Sequence, residues 1–411
     1  MITGLGIVAP NGIGKNAFWR SLIAGESAVD FITSFDTSAY PCKVAAEVKN
    51  FHPTDFMNAR TAKVAGRFSQ FAIAATRLAL EDSKLSIDSS LSPSTSICYG
   101  TSVNGAGDIA AKSADAFRLN GVKALDPWAA LEYPPHAAAS YVAIEFGIKG
   151  PAVSVSSNCC TGIDAIALGT SQIQSNVASV ALVGACDAPL FPLSFAGFCA
   201  LGALSKRSKD PQKASRPYDL LRDGLVLGEG AATLVLEDFE YATARGAKIY
   251  AEVLGHAGAS EAIGMRKGDI EGAVMATAIR RALAAAALAP EDIDHINAHG
   301  SSLPDYDVCD TNGFKKSLGS HAYKIPITSI KSMIGQPVSA AGAFQTAAAC
   351  LSLEAQFVPP TINQEVRDLR CDLDYVPNAA RIARLNRILI NGHSFGGSVA
   401  ALVIGKADPT N

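Results

Sequence analysis

Cys159 follows an apolar run at 153–156 and precedes Thr161, Gly162 and an apolar helical segment. The amides and dipole of a helix N-terminus favour thiolate over thiol, so this is an environment for a nucleophile that attacks carbonyls. Cys160 differs from it only in which side of the turn it faces. The other seven cysteines, at 42, 98, 186, 199, 309, 350 and 371, read as small buried hydrophobes. In the C-terminal part of the chain, His299, Gln336 and the glycine-rich turn at 392–397 occupy comparable places after apolar runs. If turns from two halves face one crevice, Cys159 from the first meets His299, Gln336 and that turn from the second, and a mixed site lies between them.

The elements that must carry these residues are short glycine-bounded apolar runs alternating with alanine-rich segments, the pattern of buried parallel strands covered by helices. An α/β fold is expected. Helices are predicted at 71–82, 162–175, 272–286 and 340–355, and strands at 153–156, 179–183, 232–236 and 387–391. A faint duplication runs through them. Ile97-Cys98-Tyr99-Gly100-Thr101-Ser102 resembles the stretch from Ile296 to Ser302, the strand and turn at Cys159 resemble a strand at 325–329 with a turn at Gln336, and the glycine turns after 183 and 391 match. Their unequal separations argue against a solenoid or propeller. The chain divides into halves 1–245 and 246–411, with the boundary in the charged stretch 240–247 before a new strand at Ile249.

The 411 residues, 48% hydrophobic and 18% charged, exclude disorder. With 35 Lys and Arg against 38 Asp and Glu, the formal charge of -3 leaves no footprint for nucleic acid. Nine cysteines without a Cys-x-x-Cys pair give no metal or redox dithiol motif and fit a reducing cytoplasm. No apolar run of membrane-spanning length and no secretion signal is present, so neither a membrane nor secretion is expected.

Ser157-Asn158-Cys159-Cys160-Thr161-Gly162, Arg216-Pro217-Tyr218-Asp219 with Arg222-Asp223-Gly224, Asn297-Ala298-His299-Gly300, Lys331-Ser332-Met333 and Ser394-Phe395-Gly396-Gly397 resemble, in order, the motifs of the beta-ketoacyl-acyl carrier protein synthases. The resemblance implies a thiolase fold of two similar αβαβα halves and a homodimer, or a heterodimer of ketosynthase and chain-length factor. It also implies no bound cofactor or metal, with acyl groups arriving on the phosphopantetheine arm of an acyl carrier protein. Cys159 then accepts the acyl chain as a thioester, with the Cys159 and Phe395 amides as oxyanion hole. His299 assists decarboxylation of a malonyl thioester, Lys331 holds the site electrostatically, and Ser301, Leu303, His393 and Gly396 lie against the substrate. Because carrier proteins are acidic, Lys63, Arg67, Lys206 and Arg207 are candidates for the docking surface.

The departures are informative. Where the family has a second histidine this chain has Gln336, which cannot exchange a proton near neutral pH but can donate a hydrogen bond to the malonyl thioester oxygen. Leu303 removes a hydroxyl expected to touch pantetheine, Gln345 replaces a glutamate, and His393 stands in place of a phenylalanine, either restoring an imidazole or filling its volume. Decarboxylative Claisen condensation in fatty-acid or polyketide synthesis is the leading expectation. A non-elongating acyltransferase and a chain-length-factor-like partner are the alternatives. A degradative thiolase would need a second cysteine in the turn 392–397, which has none.

Overall fold

The computed structural model describes residues 1–407, with Ala106 and Asp108 described by backbone alone. Its first half is built on six strands: β1 (Ile2–Ala9), β2 (Gly12–Ile13), β3 (Thr95–Gly100), β4 (Ala152–Val155), β5 (Val180–Asp187) and β6 (Gly230–Glu237). They lie in the order β2-β1-β6-β5-β3-β4. The β1/β6 and β6/β5 pairs are antiparallel, whereas β5/β3 and β3/β4 are parallel. β5 and β6 are buried along their whole length, as expected of strands covered on both faces. Helices α1 (Arg67–Ser83) and α2 (Ala137–Phe146) cover the outer face, and α3 (Thr161–Gln174) lies on the inner one. The Thr3-Gly4-Leu5-Gly6 motif lets β1 touch α1, because a Cβ on Gly6 would meet the Ala75 carbonyl oxygen at 1.8 Å.

The second half repeats this plan. Strands β7 (Glu252–Ser260), β8 (His295–Asn297), β9 (Ile327–Thr328), β10 (Arg387–His393) and β11 (Ser398–Gly405) lie in the order β9-β8-β10-β11-β7. The β7/β11 and β11/β10 pairs are antiparallel, and β10/β8 and β8/β9 are parallel, matching the first sheet from β1 to β4, with no counterpart of β2. Helices α4 (Ala273–Ala285) and α5 (Pro304–Leu318) cover the outer face. Helix α6 (Ala341–Ala355) joins α3 in a middle layer that touches both sheets. α6 is buried through residue 353 on every side, which explains its alanine-rich, non-amphipathic sequence. At their N-termini the two middle helices meet glycine to backbone: a Cβ on Gly162 would lie 2.5 Å from the Ala343 nitrogen, and one on Gly342 2.7 Å from the Ile163 nitrogen.

Two expected strands differ from those observed. The one expected at Ile249 begins at Glu252, because Tyr250 and Ala251 first bond to Ile2 of the other sheet. The one expected at 325–329 is reduced to two residues on the sheet edge.

Candidate active site

Cys159 lies in a 3-10 turn, Asn158–Cys160, that runs into α3, with Asn158 in the left-handed region at φ 55°. Its thiol is buried and receives a hydrogen bond from Gln336 Nε2 at 3.3 Å. Gln336 is fixed by its backbone, whose amide donates to the Val226 carbonyl at 2.7 Å and whose carbonyl accepts from the Gly228 amide at 2.9 Å. The amide nitrogen expected to polarise a malonyl oxygen is thus directed at sulfur. Cys160 faces the other way. Its thiol donates to the Ser398 carbonyl at 3.3 Å and packs into the central apolar core.

Burial corrects one expectation. The helix N-terminus and the Lys331 charge favour a Cys159 thiolate, but desolvation outweighs them and pushes the thiol up to about 12. The cause is an apolar wall of Phe198, Leu225, Leu227 and Val338 around a narrow cavity. Cys159, His299, Ser301, Leu303, Gln336, His393 and Phe395 all line it. Gly396 does not: its amide donates to the Met265 carbonyl at 2.8 Å, and its φ of 90° shapes the turn that presents Phe395. The Cys159 and Phe395 amides donate to no acceptor among the described residues.

His299 is anchored through its backbone, its amide donating to Asn391 Oδ1 at 2.9 Å and its carbonyl accepting from Lys331 Nζ at 2.6 Å. Burial, with Lys331 and His393 nearby, holds its imidazole well below the usual range and therefore neutral. Lys331 lies behind His299 rather than in the cavity. Its other acceptor is Gln345 Oε1 at 3.2 Å, and burial brings the ammonium down to about 8. Gln345 also donates to the Asn297 and Asn391 carbonyls, tying β8 to β10 behind the site. The Arg216–Arg222 motif is scaffolding. Arg216 pairs with Asp219 at 2.9 Å, and Arg222 with Asp307 at 3.3 Å. Asp307 accepts from the Ser301 and Ser302 amides.

Tyr306, Glu261 and the apolar wall escaped the sequence reading. Tyr306, two residues after the matched Pro304 on the first turn of α5, had a local signal: a helix beginning there must present its first turn to the site. Its ring lies 4.3 Å from that of His393 and 5.6 Å from that of Phe395. Beyond Leu303, Tyr306 and Phe395 a wider vestibule opens, bordered by Asp223, Arg266 and Lys267. Among the docking candidates, Arg67 is committed to Glu229 at 2.7 Å and to the Val48 carbonyl, so its charge serves the fold. Lys206 is exposed and its amide donates to Asp223 at the vestibule, while Lys63 is exposed on a separate short helix, Ala59–Val64. Among the described residues, no cluster of His, Cys, Asp or Glu could hold a metal ion, and no helix is long and apolar enough to cross a membrane.

Two αβαβα halves related by the same strand order, with a buried cysteine at the start of one middle helix, constitute the thiolase fold. The family models described as "Beta-ketoacyl synthase, N-terminal domain" and "Beta-ketoacyl synthase, C-terminal domain" match residues 1–242 and 250–365. The chain is 39% identical over 406 residues to 3-oxoacyl-[acyl-carrier-protein] synthase 2 of Coxiella burnetii, covering 99% of this chain and 98% of that protein. It is 40% identical over 416 residues to the tetracenomycin polyketide synthase ketoacyl synthase alpha subunit of Streptomyces glaucescens, covering 100% and 97%. A solved type II polyketide ketosynthase, in complex with its acyl-carrier protein and bound to a hexaketide, superposes with a TM-score of 0.91 at 33% identity, covering 99% and 98%. The chain belongs to the beta-ketoacyl synthase family.

Proposed function

We propose that the protein is a beta-ketoacyl-acyl carrier protein synthase that loads an acyl chain onto Cys159 and elongates it with a malonyl unit in fatty-acid or polyketide synthesis. The observation that carries this reading is Cys159 Sγ in a narrow apolar cavity, beside His299 and with two uncommitted amides, its own and that of Phe395. In loading, the sulfur attacks the incoming thioester carbonyl, the oxyanion rests on those amides, and the pantetheine thiol departs with the proton Cys159 gives up. Neutral His299 suits the role of hydrogen-bond donor to the malonyl oxygen, and Lys331 supplies positive charge behind it.

The division at 245/246 belongs to this reading, supported by the matching sheet orders, and it assigns the nucleophile to one half and its partners to the other. The substrate arm is the phosphopantetheine of an acyl carrier protein, and no cofactor of the enzyme's own is invoked. For docking, Lys206 and Arg207 are joined by Arg266 and Lys267, which border the vestibule directly. A second copy, or a related chain-length factor, is expected against the exposed edge strand β4. With nine free cysteines, the cytoplasm is the assigned compartment.

The non-elongating reading draws on one observation, the gift of the Gln336 amide to Cys159. Retention of Cys159 and His299 opposes a purely structural partner. Mass spectrometry of the protein with acyl carrier thioesters, with and without malonyl carrier, separates the three. Cys159 loading followed by carbon dioxide release supports the synthase, loading alone supports acyl transfer, and neither supports a silent partner.

A further inference from the structure

Position 336 supplies no second imidazole, yet a second imidazole lines the same cavity from β10. His393 is buried, its ring centroid 6.2 Å from that of His299 and 4.3 Å from that of Tyr306. Its Nε2 lies 3.0 Å from Glu261 Oε1, within ion-pair range though not aligned as a hydrogen bond, and its Nδ1 has no partner. Glu261 is itself buried just past the end of β7, and its Oε1 accepts the Asp269 amide at 2.9 Å, so the carboxylate is anchored independently of the histidine. Its other oxygen is unpartnered. A protonated imidazole donates from both ring nitrogens, one of which here faces the Glu261 carboxylate. Nδ1 then becomes a donor with nothing in the protein to receive its proton. Two N–H donors converging on one oxygen at about 2.9 Å each stand roughly 4–5 Å apart, a separation that rings at this centroid distance can present.

We propose that His393, held by Glu261, is the second imidazole of this site and, with His299, binds the thioester oxygen of the malonyl group. The proposal rests on the condensing-enzyme reading and relocates a role that Gln336 has given up to serve Cys159. In the step, the bond from the malonyl methylene to its carboxylate breaks and carbon dioxide leaves. The electron pair passes into an enolate whose oxygen accepts from His299 and His393. The enolate carbon attacks the Cys159 thioester, a carbon–carbon bond forms, the carbon–sulfur bond breaks, and the departing thiolate takes one proton from solvent. His393 is thereby a catalytic residue, and Glu261 a positioning residue acting through it.

The test uses the full chain and measures Cys159 loading and carbon dioxide release separately. His393→Phe, which keeps the ring volume, should lower carbon dioxide release from malonyl carrier by about 10² to 10³ while loading falls less than tenfold. His393→Gln, which keeps an amide donor, should retain more release than His393→Phe. Glu261→Gln can still accept the Asp269 amide, should lower release by an intermediate factor, and should add nothing in the His393→Phe background, whereas a merely structural role would add. Variants that release carbon dioxide at the wild-type rate, or that lose loading and release in parallel, overturn the assignment of His393 alone. Wild-type protein that loads but releases none overturns the condensing reading itself.

Discussion

At the scale of single residues, the two adjacent cysteines have opposite fates. Cys159→Ala should abolish acyl labelling. Cys160→Ala should retain it and lose about 1–2 kcal/mol of stability in denaturant unfolding, because the thiol fills core space and bonds to the Ser398 carbonyl. Lys331 offers a pH signature. Burial lowers its ammonium from 10.5 to about 8 in the fold, so between those values the unfolded chain binds the proton that the folded chain has released. The Lys331 contribution to unfolding free energy should therefore rise with pH across that window, by roughly 3 kcal/mol, against the opposite contribution of buried thiols such as Cys159, and it is read as the difference between wild type and Lys331→Met in urea titrations at pH 7.5 and 10.5. Gln345→Glu places a carboxylate where the neutral amide now sits 3.2 Å from Nζ, raises the lysine's proton affinity and should flatten the rise. A slope unchanged in Gln345→Glu would mean another group is titrating.

At the scale of elements, the middle layer sets the distance between nucleophile and partners. The N-termini of α3 and α6 cross through Gly162 and Gly342, and a Cβ on either would overlap backbone, at Gly342 together with the Ile163 side chain. Gly162→Ala and Gly342→Ala should each cost about 1–3 kcal/mol and slow Cys159 loading beyond what the stability loss explains, because separating the helices separates Cys159 from Gln336. These helices were legible in the sequence to within a residue at most ends, since α6 carries a long alanine-rich run and α3 a run of small and apolar residues, each bounded by turns. Cys159, His299, Lys331 and Gln336 were legible for a related reason: each sits in a short contiguous motif. The ionisation of Cys159 was not, because the wall that desolvates it gathers Phe198, Leu225, Leu227 and Val338 from three separate stretches. Glu261 gave no local signal either, since its partner His393 lies on another strand.

At the scale of the whole molecule, the first sheet ends in β4, an edge strand with Val153 40% exposed. Ile144 in α2, 77% exposed, and Phe117, Leu119 and Trp128 add further apolar surface from the preceding stretch. An uncovered strand edge with apolar flanks calls for a pairing partner. The protein should sediment as a dimer, or as a heterodimer when its partner is co-expressed, and Val153→Lys with Ile144→Glu should shift it to monomer. A wild-type monomer at micromolar concentration in both settings would refute this.

The hydrogen bond from Gln336 to Cys159 joins residues far apart in the chain and in different halves. A ribosome that has completed the first sheet has made the cysteine but not the histidine, the lysine or the turn that carries Phe395. Until the last strands close, the nascent chain carries a thiol without its chemistry, and competence for acylation becomes a property of the finished polypeptide alone.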